Sequence, residues 1–175
     1  MKTKFNEFIN ESKQKEYGVA MLYLDFDIEK IHKIIDKEDL HEEGLSTNPH
    51  VTLLYGFHLD ETKEDDVLDV VMKHKIDKIK ISNVSLFTKN KEYDVLKFEA
   101  KNDVLSKINK DLKDNFEYTS DHPKYEPHLT IAYLKPGKGK KYVDKLKDKE
   151  YNVKATKVTY GSKKKKKKER YKNKI

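Results

Sequence analysis

The 175-residue chain contains no cysteine. Disulfides, thiolate metal sites and cysteine nucleophiles are thereby excluded, and a reducing cytosol is the expected setting. Arginine is almost as scarce: of 38 basic residues only Arg170 carries a guanidinium. Bidentate clamps are therefore nearly absent, so any phosphate contact must come from lysine, histidine, hydroxyls or backbone. No apolar run approaches the ~18–20 residues of a membrane span, and the N-terminal MKTKFNEFINESKQKEYG lacks an apolar stretch of signal-peptide length, so no membrane partner is expected. A phosphate-cradling glycine loop is also missing. Gly137-Lys138-Gly139-Lys140 lacks the full pattern and reads as a turn after Pro136.

Charge is abundant, with 39% charged and 35% hydrophobic residues. Such a balance would mean disorder if the apolar residues were scattered, so their patterning decides the matter. They are patterned, and 175 residues suffice for one compact domain with its own core. The net charge of +7 is unevenly placed. Residues 161–175 hold eight lysines, Arg170 and one glutamate, or +8, which leaves −1 for residues 1–160. The run Lys163 to Lys168 is either a solvated tail or the loop of a terminal hairpin. Either form draws in phosphate through a salt-sensitive, non-specific attraction.

Residues 1–16 read as a polar leader, with Phe5, Phe8 and Ile9 spaced for one short helical face, and residues 17–175 as a single domain. Tyr17–Phe26 is a short apolar run expected as a strand, followed by a helix capped by Asp27. A polar loop from Leu40 to Pro49 leads into a strand over His50–Phe57 and a helix over Thr62–His74. Two strands, Lys78–Thr88 and Tyr93–Ala100, precede a helix capped by Asn102 or Asp103. The loop Tyr118–Pro127, a strand His128–Leu134, a helix Lys140–Leu146 and a strand Tyr151–Tyr160 complete the alternation. Strands spaced closely enough for hairpins predict an α+β fold with mainly antiparallel pairing rather than a doubly wound parallel sheet.

One repeat stands out. Pro49-His50-Val51-Thr52-Leu53-Leu54-Tyr55 matches Pro127-His128-Leu129-Thr130-Ile131-Ala132-Tyr133 as P-H-h-T-h-x-Y, where h is aliphatic. About 0.4 His-x-Thr triplets are expected by chance in a chain of this composition, so one triplet would mean little, whereas two in the same extended context are informative. Alternation along a strand sends His50 and Thr52 to one face and Val51 and Leu53 to the other, with the same division for His128 and Thr130. If the duplicated halves meet about a twofold axis, two imidazoles and two hydroxyls share one groove. Imidazole can take or give a proton near neutral pH, and the hydroxyls can hold non-bridging phosphate oxygens. The constellation suits phosphodiester cleavage without metal or cofactor.

The paired P-H-[VL]-T-[LI] strands resemble those of the 2H phosphoesterase superfamily, the two-histidine enzymes that include RNA 2′,3′-cyclic phosphodiesterases and 2′-5′ RNA ligase-like proteins. The resemblance implies a bilobal fold, with pseudo-symmetric antiparallel sheets lining a central groove and helices outside. It implies catalytic roles for His50, Thr52, His128 and Thr130. Within the superfamily the chain is similar in size and style to the phage anti-CBASS nucleases, which cleave cyclic oligonucleotide immune signals. That likeness implies action in an infected bacterial cytoplasm. Met1-Lys2-Thr3, Glu7-Phe8-Ile9 and Glu11 also resemble a phage capsid-targeting leader, which implies cleavage after the Ile9-Asn10-Glu11 triplet and packaging in the virion. RNA-end processing and non-catalytic nucleotide sequestration are the rival functions.

Aromatic rings beside the groove would stack on bases, and Tyr17, Tyr55, Phe87, Tyr93, Tyr125 and Tyr133 are the candidates. Tyr55 and Tyr133 follow the threonines on the motif strands, where alternation is expected to place them on the motif face. Lys124 and Tyr125 lie in the loop just before the second motif and are expected to touch ligand. The remaining histidines, His32, His41, His58, His74 and His122, show no zinc-ligand spacing and read as exposed or turn residues.

Overall fold

The computed structural model describes residues 16–162 and 168–171. The leader, with its Ile9-Asn10-Glu11 triplet, and most of the lysine run lie outside the described residues.

Among the described residues, eight strands and four α-helices make up the fold. β1 (Tyr17–Asp25), α1 (Glu29–His32), β2 (Leu40–Leu45), β3 (His50–His58), α2 (Glu64–Met72) and β4 (Ile79–Phe87) make the first half. The second half comprises β5 (Asp94–Lys101), α3 (Asp103–Asn115), β6 (His128–Leu134), α4 (Lys140–Leu146) and β7 (Tyr151–Gly161). A final strand, β8 (Lys168–Tyr171), follows. All pairings between these strands are antiparallel. The hydrogen-bonded order β1-β3-β6-β5-β4-β7 returns to β1, so six strands form a barrel-like ring, with β2 added to β6 and β8 to β7.

The ring has an internal twofold pattern. Exchanging β1 with β5, β3 with β6 and β4 with β7 turns the β1–β3 pair into β5–β6 and the β1–β7 pair into β5–β4. It leaves the β3–β6 and β4–β7 pairs mapped onto themselves. This is the α+β architecture expected, although the two halves share one continuous sheet rather than forming two separate ones.

Helices cover one face of the sheet in each half. Val51, Leu53, Leu129 and Ile131 are fully buried there, together with Leu68 of α2 and Leu105, Ile108 and Leu112 of α3. Asn102 caps α3 as expected, its side-chain oxygen accepting from Val104 N at 2.9 Å. Two expectations fail. Asp27 caps nothing, because α1 starts at Glu29 behind Ile28 and lasts only four residues. The polar stretch after Leu40 is not a plain loop: Leu40 and Leu45 pair with Leu134 and Ala132 of β6. A polar strand that pairs at its ends alone shows no alternation from which to read it.

The motif strands themselves are not regular. Strict alternation from Thr52 would carry Tyr55, three residues on, to the opposite face. A β-bulge corrects this: β1 pairs Met21 with Thr52 and the next residue, Ala20, with Leu54, which leaves Leu53 as the extra residue. β5 does the same to β6, pairing Lys97 with Thr130 and Leu96 with Ala132 and leaving out Ile131. Each bulge buries two consecutive aliphatic residues and returns the following tyrosine to the motif face. The h-x step before the tyrosine in the repeat is the sequence trace of this bulge. A second bulge in β3 falls at Gly56, whose φ is +103° and where a Cβ would lie 1.9 Å from the Thr119 carbonyl oxygen. Only glycine fits there.

Candidate active site

β3 and β6 touch at a single pair, Val51 with Leu129, and then diverge. In an antiparallel register this pair sets His50 across from Thr130 and Thr52 across from His128. Segments of the opposite half cover the diverging edges. β2 lies along β6, while Thr119 N donates to Gly56 O at 2.9 Å and His58 N to Glu117 O at 3.0 Å along β3. The two His-x-Thr motifs thus meet at the apex of a wedge between strands, as the repeat predicts.

Each motif is fixed by the same local devices. Proline has no N–H, but its carbonyl can still join a ladder. Pro49 O accepts from Leu24 N at 2.9 Å, and Pro127 O from Ala100 N at 3.0 Å. The histidine that follows turns its ring back on the chain, with His50 Nδ1 2.7 Å from Asn48 O and His128 Nδ1 2.8 Å from Glu126 O. A carbonyl only accepts, so Nδ1 carries the proton in both rings. Nε2 is then the nitrogen through which each imidazole exchanges a proton with a ligand.

The surroundings of the two imidazoles differ. Tyr23 is the cross-strand partner of His50 and lies 5.6 Å from it, ring to ring. His128 is partnered by Glu99, whose carboxylate accepts from Asn83 Nδ2 at 2.9 Å, and Phe87 packs edge-on against its ring at 5.0 Å. Burial, and after it the positive charges of Lys97 and His50, push His128 below the ordinary imidazole value, against the pull of the Glu126 carbonyl. His128 is therefore neutral at pH 7 and able to accept a proton.

Of the residues expected to bind ligand, Tyr55 and Tyr133 occupy equivalent places beyond the two bulges. Tyr55 is 47% exposed and packs edge-on against Tyr17 at 6.1 Å, and Tyr133 packs the same way against Tyr93 at 5.2 Å. Lys124 is exposed and paired with Glu126 at 3.9 Å. Tyr125 has a tie instead of an open ring: its hydroxyl donates to Thr52 O at 2.9 Å, joining the second motif's loop to the first motif's strand. Burial raises its pKa far above the usual phenol value.

Several histidines read as exposed or turn residues are structural ties. His74 Nε2 lies 2.7 Å from Asp111 Oδ2, linking α2 to α3, and His58 Nε2 lies 2.8 Å from Thr119 Oγ1. His32 Nε2 is 3.1 Å from Ile131 O. Among the described residues no three histidine, aspartate or glutamate side chains converge as a metal cluster would. The single arginine is engaged on α2, with Asp65 at 3.0 Å and with Asp69.

Sequence reasoning missed Lys97. It lies directly across from Thr130, is 7% exposed, and sends Nζ to Ser85 Oγ at 2.8 Å and over the Phe87 ring at 4.1 Å. The signal was present in Leu96-Lys97-Phe98: the two apolar neighbours belong to the helix-covered face, so the lysine between them must face the motifs.

The sequence matches the 2′-5′ RNA ligase superfamily over residues 25–159, a span that contains both motifs. The chain belongs to this superfamily. It is accordingly an enzyme of the 2H phosphodiesterase type. A structure of Kluyveromyces marxianus Usb1 has a similar fold, with a TM-score of 0.53 and 10% identity, covering 84% of this chain and 94% of that one. No curated protein matches the sequence. As a member of the superfamily, the chain has a phosphodiesterase or RNA-processing role.

Proposed function

We propose that the protein cleaves 3′-5′ phosphodiester bonds of cyclic oligonucleotide immune signals, the activity of an anti-CBASS nuclease, by two-histidine acid–base catalysis. The observation that supports this most is the duplication of aromatic pairs. Tyr17–Tyr55 and Tyr93–Tyr133 sit beyond the two bulges at equivalent distances along the motif strands, one on each side of the paired His-x-Thr motifs. A ligand with a base on either side of its scissile phosphate meets a ring pair at both ends. A terminal cyclic phosphate meets only one.

In the proposed reaction His128 Nε2 removes the proton from the ribose 2′-hydroxyl, whose oxygen attacks phosphorus. The P–O5′ bond breaks, and His50 Nε2–H protonates the departing oxygen. Thr52 and Thr130 donate hydroxyl hydrogen bonds to the non-bridging oxygens as charge builds on them. The product is a 2′,3′-cyclic phosphate, which water opens by the reverse use of the two rings.

The superfamily match favours a second reading, an enzyme acting on the ends of linear RNA. Mass spectrometry of products from a panel of cyclic di- and trinucleotides, 2′,3′-cyclic phosphates and 2′-5′ linkages separates the two. Cleavage of the cyclic oligonucleotides, lost in His50→Ala and His128→Ala and unaffected by EDTA, is the expected result. Turnover confined to 2′,3′-cyclic ends would replace it with RNA processing, and binding that survives both substitutions without turnover would mean sequestration.

A further inference from the structure

Lys97 is a buried cation without an anion. Its ammonium has three N–H donors, one directed to Ser85 Oγ, with the Phe87 ring below it. Among the described residues it forms no salt bridge. Glu99 and Glu126 act on it only through longer-range attraction, while burial lowers its pKa. A buried charge that is neither paired nor fully hydrogen-bonded destabilises the fold. Proteins retain such groups where a ligand supplies the missing partner.

Its place in the fold says which ligand. Lys97 neighbours Thr130 across β5–β6, and it bears on His128 electrostatically. The twofold pattern gives its counterpart as Met21, which faces Thr52 across β1–β3. One threonine therefore has a cation beside it and the other a thioether. Arg170 is committed to α2, whereas Lys97 is placed beside Thr130 to serve as a clamp at this site.

We propose that Lys97 is a catalytic residue whose ammonium binds a non-bridging oxygen of the scissile phosphate on the Thr130 side. The role rests on the phosphodiesterase reading above. It gives the near-symmetric groove a direction, because a lysine stands beside Thr130 where its counterpart beside Thr52 is Met21. A phosphodiester therefore binds in one polarity, with a fixed oxygen toward β5.

Lys97→Met, which copies the counterpart residue, tests this in two independent ways. In the free protein it removes an unpaired charge from apolar surroundings, so the urea midpoint is expected to hold or rise. Binding of adenosine 3′-monophosphate, followed by 31P NMR, is expected to weaken by about tenfold or more, the usual loss for a hydrogen bond to a charged group. Lys97→Arg, which keeps the charge, should bind within about threefold of wild type. With Rp and Sp phosphorothioate substrates, wild type should discriminate between the diastereomers and Lys97→Met should not. A lowered midpoint with unchanged nucleotide binding would make Lys97 a structural residue and overturn the proposal. So would failure of the wild-type protein to bind the nucleotide. A wild-type protein that binds it through Lys97 but turns over no linkage in the panel would sink the functional reading alone.

Discussion

Asn109 on α3 donates its side-chain amide to the carbonyl of Leu53, 2.7 Å away and buried. Leu53 is the extra residue of the β3 bulge. Its counterpart Ile131 receives the same service, accepting from Ser46 N at 3.0 Å and lying 3.1 Å from His32 Nε2. A bulge takes a backbone carbonyl out of the ladder, and in the interior that oxygen needs another donor. Each bulge is thus held by a side chain from a helix of the opposite half. Asn109→Leu leaves the Leu53 oxygen buried and unpaired, at a cost of about 1–3 kcal/mol. For a chain of this size that lowers the melting temperature by roughly 2–10 °C. Because the bulge sets the facing of both Thr52 and Tyr55, kcat should fall as well. Calorimetry and steady-state rates on the same variant check both, and an unchanged melting temperature would refute the role of this bond.

This arrangement also shows what the sequence could and could not disclose. The two His-x-Thr motifs were legible because strand alternation alone puts their polar residues on one face. The antiparallel α+β class was legible from the spacing of the apolar runs. Asn109 and His32 were not, since their function is to bond a single carbonyl 56 and 99 residues away in the chain. β2 escaped notice because it pairs only through Leu40 and Leu45, leaving no periodic trace. Alternation from the threonines, three residues away, gives the wrong face for Tyr55 and Tyr133, and it is the bulges, traced by the h-x step, that return them to the motif face.

The two tyrosine pairs should be separable by their effect on substrate. A base stacked on an aromatic ring contributes about 1–3 kcal/mol, or roughly 5- to 150-fold in affinity. Tyr55→Ala and Tyr133→Ala are each expected to raise KM for a cyclic dinucleotide within that range and to leave kcat within a few-fold, since both rings sit beyond the bulges, three residues from the motif threonines. Substrates with a base on one side only should respond to one substitution and ignore the other. If both substitutions left every KM unchanged, the aromatic pairs would have no part in binding.

Acid should weaken the attachment of α4. Lys141 Nζ lies 2.6 Å from Asp39 Oδ2, and the Tyr142 hydroxyl donates to the same oxygen and accepts from Asp36 N at 2.9 Å. The hydrogen bond from Lys141, and after it that from Tyr142, holds the Asp39 carboxyl below its usual 3.8. A carboxyl whose folded pKa is depressed stabilises the fold fully above the unfolded value and loses that contribution as pH falls through the folded one. Asp39→Asn should therefore lower the urea midpoint by a constant amount near neutral pH. The difference from wild type should shrink below about pH 4 and vanish once both carboxyls are protonated. A difference that persisted unchanged at pH 2 would place the effect in packing instead of charge.

The pH dependence of turnover follows from the asymmetry between the two rings. His128 faces Lys97 and Glu99 on β5, His50 on β3 and Glu126 in the preceding loop. Burial, followed by the cations among these, lowers its pKa from 6.5. A base must be unprotonated to act, so the acidic limb of kcat/KM should fall below pH 6.5. The same depression makes the folded state lose stability as pH drops from about 6.5 through the lowered value, because the unfolded chain binds the proton more tightly. Lys97→Met removes one of the two repelling cations and should move the acidic limb upward toward about 6.5. Rates measured from pH 4.5 to 9 on both proteins give the comparison. An acidic limb above 6.5 in the wild type would remove His128 as the base, and one that does not move in the variant would mean that burial alone, without Lys97, sets its protonation.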